Sequence, residues 1–379
     1  IFTGEFADLK ERNTLYRRMA KIALDESVRV WVAAIQNSFP LDSKMQGITS
    51  DLVAGPKTTR TLRNAYIEGK DELTVGNLWV WTERTTWNPV GGFGDVYSMD
   101  IWRNVHDPPV WRNPFTGIPV PFRATFEVTT SGPTGKLDVP PDAFIWDTTA
   151  STWQPVATDT KATSKVIFDY SLYFQSKWHD GEPITMADVL YSIFMGFDLA
   201  FNEDKARIEF AIATTSKPVL ETIRGFRIVG DNKLEVYVDF WHFVPEYIAE
   251  YASPTGLVMP WPILAAMDKL VFQERRAAYS NTAAQRFGVT WISLVIDRDS
   301  RLVRQSLLNM RDKGLFPINV FQVKDHSLET LNGAMDRYDK ALAWFREHGM
   351  FVISNGPYKL VRYDPPAQFA ELKAFRDPS

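Results

Sequence analysis

Within residues 166–199 three local patterns follow one another, and only a strand, a tight turn and a capped helix satisfy them in that order. Val166, Phe168, Tyr170, Leu172 and Phe174 alternate with more polar neighbours, the period of a half-buried strand. Asp180 and Gly181 then supply turn chemistry, and Pro183 fixes the approach to the helix. Thr185 is a helix cap with the acidic Asp188 three residues on, and Val189, Leu190, Ile193, Phe194 and Phe197 form the buried stripe of a helix running to about Leu199. A chain holding strand and helix in such close succession is of the mixed α/β class.

The remaining sequence agrees with that class. Residues 226–229 and 234–238 flank Gly230, Asp231 and Asn232, which predicts a hairpin. Helical spacing recurs over 298–313 and over 328–348, the latter carrying Leu331, Met335, Tyr338, Leu342 and Phe345. Near the start, Leu15, Tyr16, Met19, Ile22 and Ala23 predict a helix over 11–26, followed by a strand over 28–35. A new unit opens at Leu73 with LTVGNLWVW, where a strand is expected. Residues 87–121, dense in Pro, Gly, Trp and Asn, read as long loops pinned by aromatic rings rather than as regular elements.

Composition narrows the function by exclusion. The formal net charge of -4 is spread along the chain, so no basic surface able to follow a phosphate backbone is indicated, and nucleic acid is not an expected partner. With no cysteine there is no disulfide, thiolate metal site or cysteine nucleophile. No run reaches the roughly 20 apolar residues of a membrane span, and IFTGEFADLKERN carries neither a signal peptide nor an initiator methionine, so the sequence reads as a piece of something longer. His106, His179, His242, His326 and His348 are dispersed, which argues against a metal site. VGGFGD at 90–95 lacks phosphate-loop spacing, and no GxSxG element is present. His179 beside Asp180 is read as a turn histidine with local hydrogen bonds, and Arg298, Arg301 and Arg304 as the solvated face of a helix.

Two segments, KWHDGEPITMADVLYS (177–192) and NGPYKLVRYDP (355–365), resemble in that order the family 5 extracellular solute-binding proteins, which include peptide-, nickel- and some oligosaccharide-binding subunits of ABC importers. The first resembles the family's tryptophan, Asp-Gly turn, Pro-x-Thr cap and Asp-Val helix start, and the second its Gly-Pro-Tyr strand entry. The hairpin at 230–232 lies where the family has its own Asp-centred turn. Residues 8–36 resemble an element found near the family's carboxyl end, whereas 73–100 resemble its amino terminus, including an Asn-Pro segment at Asn88 and Pro89.

The resemblance implies an α/β, class II periplasmic-binding-protein-like fold, mainly the larger first lobe with mixed sheets and flanking helices. Residues 1–70 would be the carboxyl-terminal return, 71–379 the first lobe, and the second lobe would be largely absent from this window. It implies extracytoplasmic capture of a peptide, or second an oligosaccharide, by a monomeric subunit that delivers it to an ABC permease. The alternatives are a glycoside hydrolase and a structural surface module without transport. No catalytic residue, metal or cofactor is implied. Because such proteins bind ligand between lobes, the candidate ligand-binding residues are those of the loop at 87–102: Trp87, Phe93, Tyr97 and Trp102 to stack on or enclose the ligand, and Asn88 and Asp95 to hydrogen-bond it. Burial is the competing use of each of these rings.

Overall fold

A six-stranded antiparallel sheet and the helix laid across it organise the chain, and a computed structural model describes residues 6–27, 29, 32–33, 38–254, 256–324 and 326–376. In chain order the principal elements are α1 (Leu9–Asp25), α2 (Val96–Val105), β1 (Thr125–Thr130), β2 (Phe144–Asp147), β3 (Thr152–Pro155), β4 (Ser164–Asp169), α3 (Met186–Phe201) and α4 (Phe210–Leu220). They continue with β5 (Ile223–Val229), β6 (Lys233–Val238), α5 (Trp261–Asp268), α6 (Asp297–Asp312), α7 (Leu331–His348), β7 (Tyr358–Asp364) and β8 (Phe369–Ala374). The strand expected over 28–35 lies mostly outside the described residues.

The sheet order is β1-β4-β6-β5-β2-β3, with every neighbouring pair antiparallel. Register places Phe168 opposite Leu234 and Val166 opposite Val236, so these four fully buried side chains share one face. The hairpin between β5 and β6 turns through Gly230 at φ 60°, the left-handed region in which glycine carries no steric cost. Rings of α3 reach the sheet: Phe197 lies 5.8 Å from Phe226, and Phe194 lies 4.6 Å from Trp146. Deleting one such ring, as in Phe197→Ala, leaves a cavity that costs about 3–5 kcal/mol.

Beyond α3, a helical layer closes the core around Trp261, whose ring meets Tyr191 of α3 at 6.2 Å, Tyr338 of α7 at 5.6 Å and Phe321 at 4.8 Å. Asp188 ties this layer together. Its carboxylate accepts the Thr185 amide at the start of α3 (3.0 Å) and the Trp261 amide at the start of α5 (3.1 Å), and it faces Arg337 of α7 at 3.5 Å. Arg337 also pairs with Glu329 at 2.9 Å. A residue expected only to cap a helix thus joins three.

Three local expectations change. The strand at 166 stops at Asp169, because the Asp169 side chain accepts the Ser171 amide at 2.9 Å and turns the chain into a short helix, Ser171–Phe174. Residues 73–81 form no strand. Their backbone is met by a side chain instead: the Val80 and Trp81 amides donate to Gln368 Oε1 at 2.9 and 3.0 Å. The expected loops at 87–121 contain α2, which begins where Asp95 accepts the Ser98 amide at 2.7 Å and buries Trp102 and Val105.

The amino-terminal residues touch the rest at a few places. Phe6 packs its ring against Trp241, His242 and Phe243, Arg63 pairs with the buried Asp107, and the Tyr358 hydroxyl donates to the Leu62 carbonyl at 3.1 Å. Helix α1 forms as the spacing predicts, yet none of its residues is buried, and Tyr16, Met19 and Ile22 face solvent.

Candidate functional site

The junction between the two segments that carry the resemblance is built around His179. Its amide donates to the Ser354 carbonyl at 2.8 Å, its Nε2 lies 3.0 Å from the Gly356 carbonyl, and its Nδ1 accepts the Ser354 amide at 3.3 Å. Burial holds the imidazole neutral, with its pKa lowered to about 4. Lys177 bridges to Pro183 across a turn in which Gly181 has φ 90°. Asn355 donates to the Tyr173 hydroxyl (2.6 Å) and the Asp107 carbonyl (3.2 Å). Gly356 is required by proximity: a Cβ there would stand 2.5 Å from the Val105 carbonyl carbon. This junction is a hydrogen-bonded scaffold that holds the carboxyl-terminal end of α2 at Val105, while the opposite end of the helix is capped by Asp95, where the loop at 87–95 closes.

That loop forms one wall of an open depression of about 510 Å³, within the range of small-molecule sites. Pro89, Val90, Gly91, Gly92 and Phe93 supply this wall, with Met99 and Trp102 of α2 behind it. The facing wall is α4, through Ala211, Ile212, Thr215 and Ser216, and Ser280 completes the lining. Gly91 lets the loop approach the backbone beside Ser280, since a Cβ there would fall 1.9 Å from the Tyr279 carbonyl oxygen. None of the lining residues is ionisable.

The six residues named from sequence divide by position. Phe93 and Trp102 line the depression, with ring centroids 5.5 Å apart. Trp87 is 1% exposed and stands behind them, edge-on to Phe93 (5.8 Å), Trp102 (6.4 Å) and Tyr363 (5.8 Å). Asn88 is buried: its amide group donates to the Tyr279 carbonyl at 3.0 Å, and its oxygen accepts the amides of Val90 and Gly91 at 3.1 and 2.9 Å. Asp95 caps α2 and accepts the Thr85 hydroxyl at 2.8 Å. Tyr97 sits on α2, outside the lining. Asn88 and Asp95 therefore shape the loop, and Phe93 and Trp102 present its surface.

Sequence reasoning missed the facing wall. Residues 211, 212, 215 and 216 share one side of α4 by helical spacing, but α4 contains Pro218, and its neutral small residues carry no chemical signature. Phe210, at the helix start next to Ala211, is 67% exposed, a fact that only the folded structure shows.

No helix among the described residues is long and apolar enough to cross a membrane, and no group of three or more His, Cys, Asp or Glu among them is placed to hold a metal ion. No family model matches the chain, and no curated protein matches it. Among solved structures, the substrate-binding domain of an oligopeptide ABC transporter from Bacillus anthracis str. Ames aligns with a TM-score of 0.25 and 18% identity, over 49% of this chain and 30% of that one.

Proposed function

We propose that this chain is the first-lobe portion of an extracytoplasmic solute-binding protein of the family 5 type, with the class II architecture of periplasmic binding proteins. In this reading residues 71–379 form the lobe and residues 1–70 the segment returning from a second lobe. The chain captures a peptide without cleaving it, for delivery to an ABC permease. The observation that carries the reading is the contact between the two resembling segments: His179 of the first binds the backbone of Ser354 and Gly356 at the second. Motifs far apart in sequence thus form one structural unit, as parts of one family core should.

Phe93 and Trp102 are the proposed ligand surface, supported by Trp87, Asn88 and Asp95, with Tyr97 on α2 outside the lining. A second lobe closing over this surface would favour the ligand-bound state by adding contacts that the open form lacks. Glycoside hydrolysis needs two opposed carboxyl groups, and the depression's lining has none. The test is titration calorimetry of the chain with tripeptides, paired with mass spectrometry of the recovered ligand. Saturable binding with intact peptide supports the reading, whereas turnover abolished by replacing one carboxylate would make the protein an enzyme.

A further inference from the structure

We infer that the depression between the 89–93 loop and α4 receives an uncharged, apolar part of the ligand, the aliphatic or aromatic side chain of a peptide, and not a charged group or a sugar ring. This rests on the solute-binding reading and names the class of ligand it leaves open.

The chemistry of the lining carries the inference. Its apolar surface comes from Pro89, Val90, Phe93, Met99, Trp102 and Ile212. A charge placed there would lose water and gain no counter-ion, a desolvation cost that only a paired group offsets. Charged groups of the neighbouring depression and of the layer beneath Ser280 are already engaged. Lys57 pairs with Asp100 at 2.7 Å, and Arg103 lies 3.6 Å from Asp100, in a second depression of about 460 Å³ that shares Met99 with the first. Glu209 lies behind Ser280, fully buried, and its carboxylate accepts the Tyr279 amide (2.6 Å), the Ser280 amide (3.1 Å) and the Ser280 hydroxyl (2.6 Å).

The hydroxyl groups of the lining point the same way. Ser280 donates to Glu209 and accepts the Ala283 amide at 3.2 Å, and Thr215 donates to the Ala211 carbonyl of its own helix. A sugar ring carries several hydroxyls, each needing a partner when it leaves water. Two of the three side-chain hydroxyls in the lining are already committed within the protein. Two aromatic rings beside aliphatic groups suit an apolar side chain, which needs no hydrogen-bond partner.

The experiment titrates the chain with Ala-Phe-Ala, Ala-Leu-Ala, Ala-Asp-Ala, Ala-Lys-Ala and maltotriose, and separately with indole, in the native protein and in Ala211→Asp. Ala211 is exposed on the α4 wall, so the substitution adds a charge to the lining without entering the core. The Phe and Leu peptides should bind at least about tenfold tighter than the Asp and Lys peptides and maltotriose, and Ala211→Asp should weaken both Ala-Phe-Ala and indole. Peptide binding with no such preference, unaffected by Ala211→Asp, overturns the inference and leaves the solute-binding reading in place. Indole binding that Ala211→Asp weakens, with no peptide bound, supports the apolar site and refutes peptide capture. If neither indole nor any peptide binds, both fail, and tightest binding of maltotriose overturns the inference directly.

Discussion

Replacing Asp180 by asparagine should stabilise this protein near neutral pH, although Asp180 stands at the centre of its most recognisable motif. Burial, together with the nearby carboxylates of Glu182 and Asp188, raises the Asp180 pKa from 3.8 to about 6, against the opposing hydrogen bond from the Glu182 amide and the charge of Arg337. A carboxyl group whose folded pKa lies above its unfolded value contributes stability that is fully present below about pH 3.8 and is lost as pH rises through about 6. Near neutral pH the loss amounts to at most about 3 kcal/mol, trimmed by the group's partial exposure. Asparagine keeps the oxygen that accepts the Glu182 amide at 3.1 Å and carries no charge. Asp180→Asn should therefore exceed the native protein in urea stability by up to about 3 kcal/mol near pH 7, with the difference vanishing below about pH 4. His179 works in the opposite direction: burial lowers its pKa to about 4, so its contribution is present above about pH 6.5 and is lost as pH falls through about 4. The buried ring of His106, also lowered to about 4, adds to that loss. In the native chain Asp180 offsets part of the acid sensitivity of the two histidines, and the variant should lose stability more steeply on acidification. A variant no more stable than the native protein near neutral pH would refute the assignment of a desolvated charge at this turn.

Named contacts set three further outcomes. Lys205 sits between Asp198 and Asp268 at 2.7 and 3.2 Å, so Lys205→Met should leave two buried carboxylates unpaired and cost about 3–5 kcal/mol in urea unfolding. Gly356→Ala should cost about 1–3 kcal/mol, because the new methyl group meets the Val105 backbone; an unchanged thermal midpoint would mean that α2 can move aside. Phe93→Ala should keep a cooperative unfolding transition and weaken Ala-Phe-Ala binding at least about fivefold by calorimetry, since the ring lies on the depression rather than wholly within the core.

The legible parts of the fold are those whose stabilising contacts are local. Thr185 and Asp188 mark the start of α3 because cap and carboxylate are three residues apart, and the hairpin at Gly230 is legible because its turn chemistry and alternation are contiguous. The strand expected at 73–81 failed for the opposite reason. Its Val80 and Trp81 amides donate to Gln368, and nothing near residue 80 can announce a partner close to the other end of the chain. Helix α2 was hidden by composition: the Pro, Gly and Asn around it outweighed a ten-residue stretch whose start depends on the single cap Asp95.

The site is harder to read than the fold, because sequence reports what a side chain is made of and not which side of it is left uncovered. Trp87 and Trp102 are the same residue type in the same loop-and-helix unit, and both are almost fully buried. Only Trp102 keeps an edge on the depression, and that difference is set by the ring of Tyr363 lying against Trp87 and by α4 standing off from Trp102. Both determinants come from remote parts of the chain. The same holds for charge: no residue lining the depression is ionisable, and beneath Ser280 the buried carboxylate of Glu209 is held by two amides and a hydroxyl. Its partners, the Tyr279 and Ser280 amides and the Ser280 hydroxyl, lie 70 and 71 residues further along the chain, so nothing beside Glu209 in the sequence announces how its charge is held.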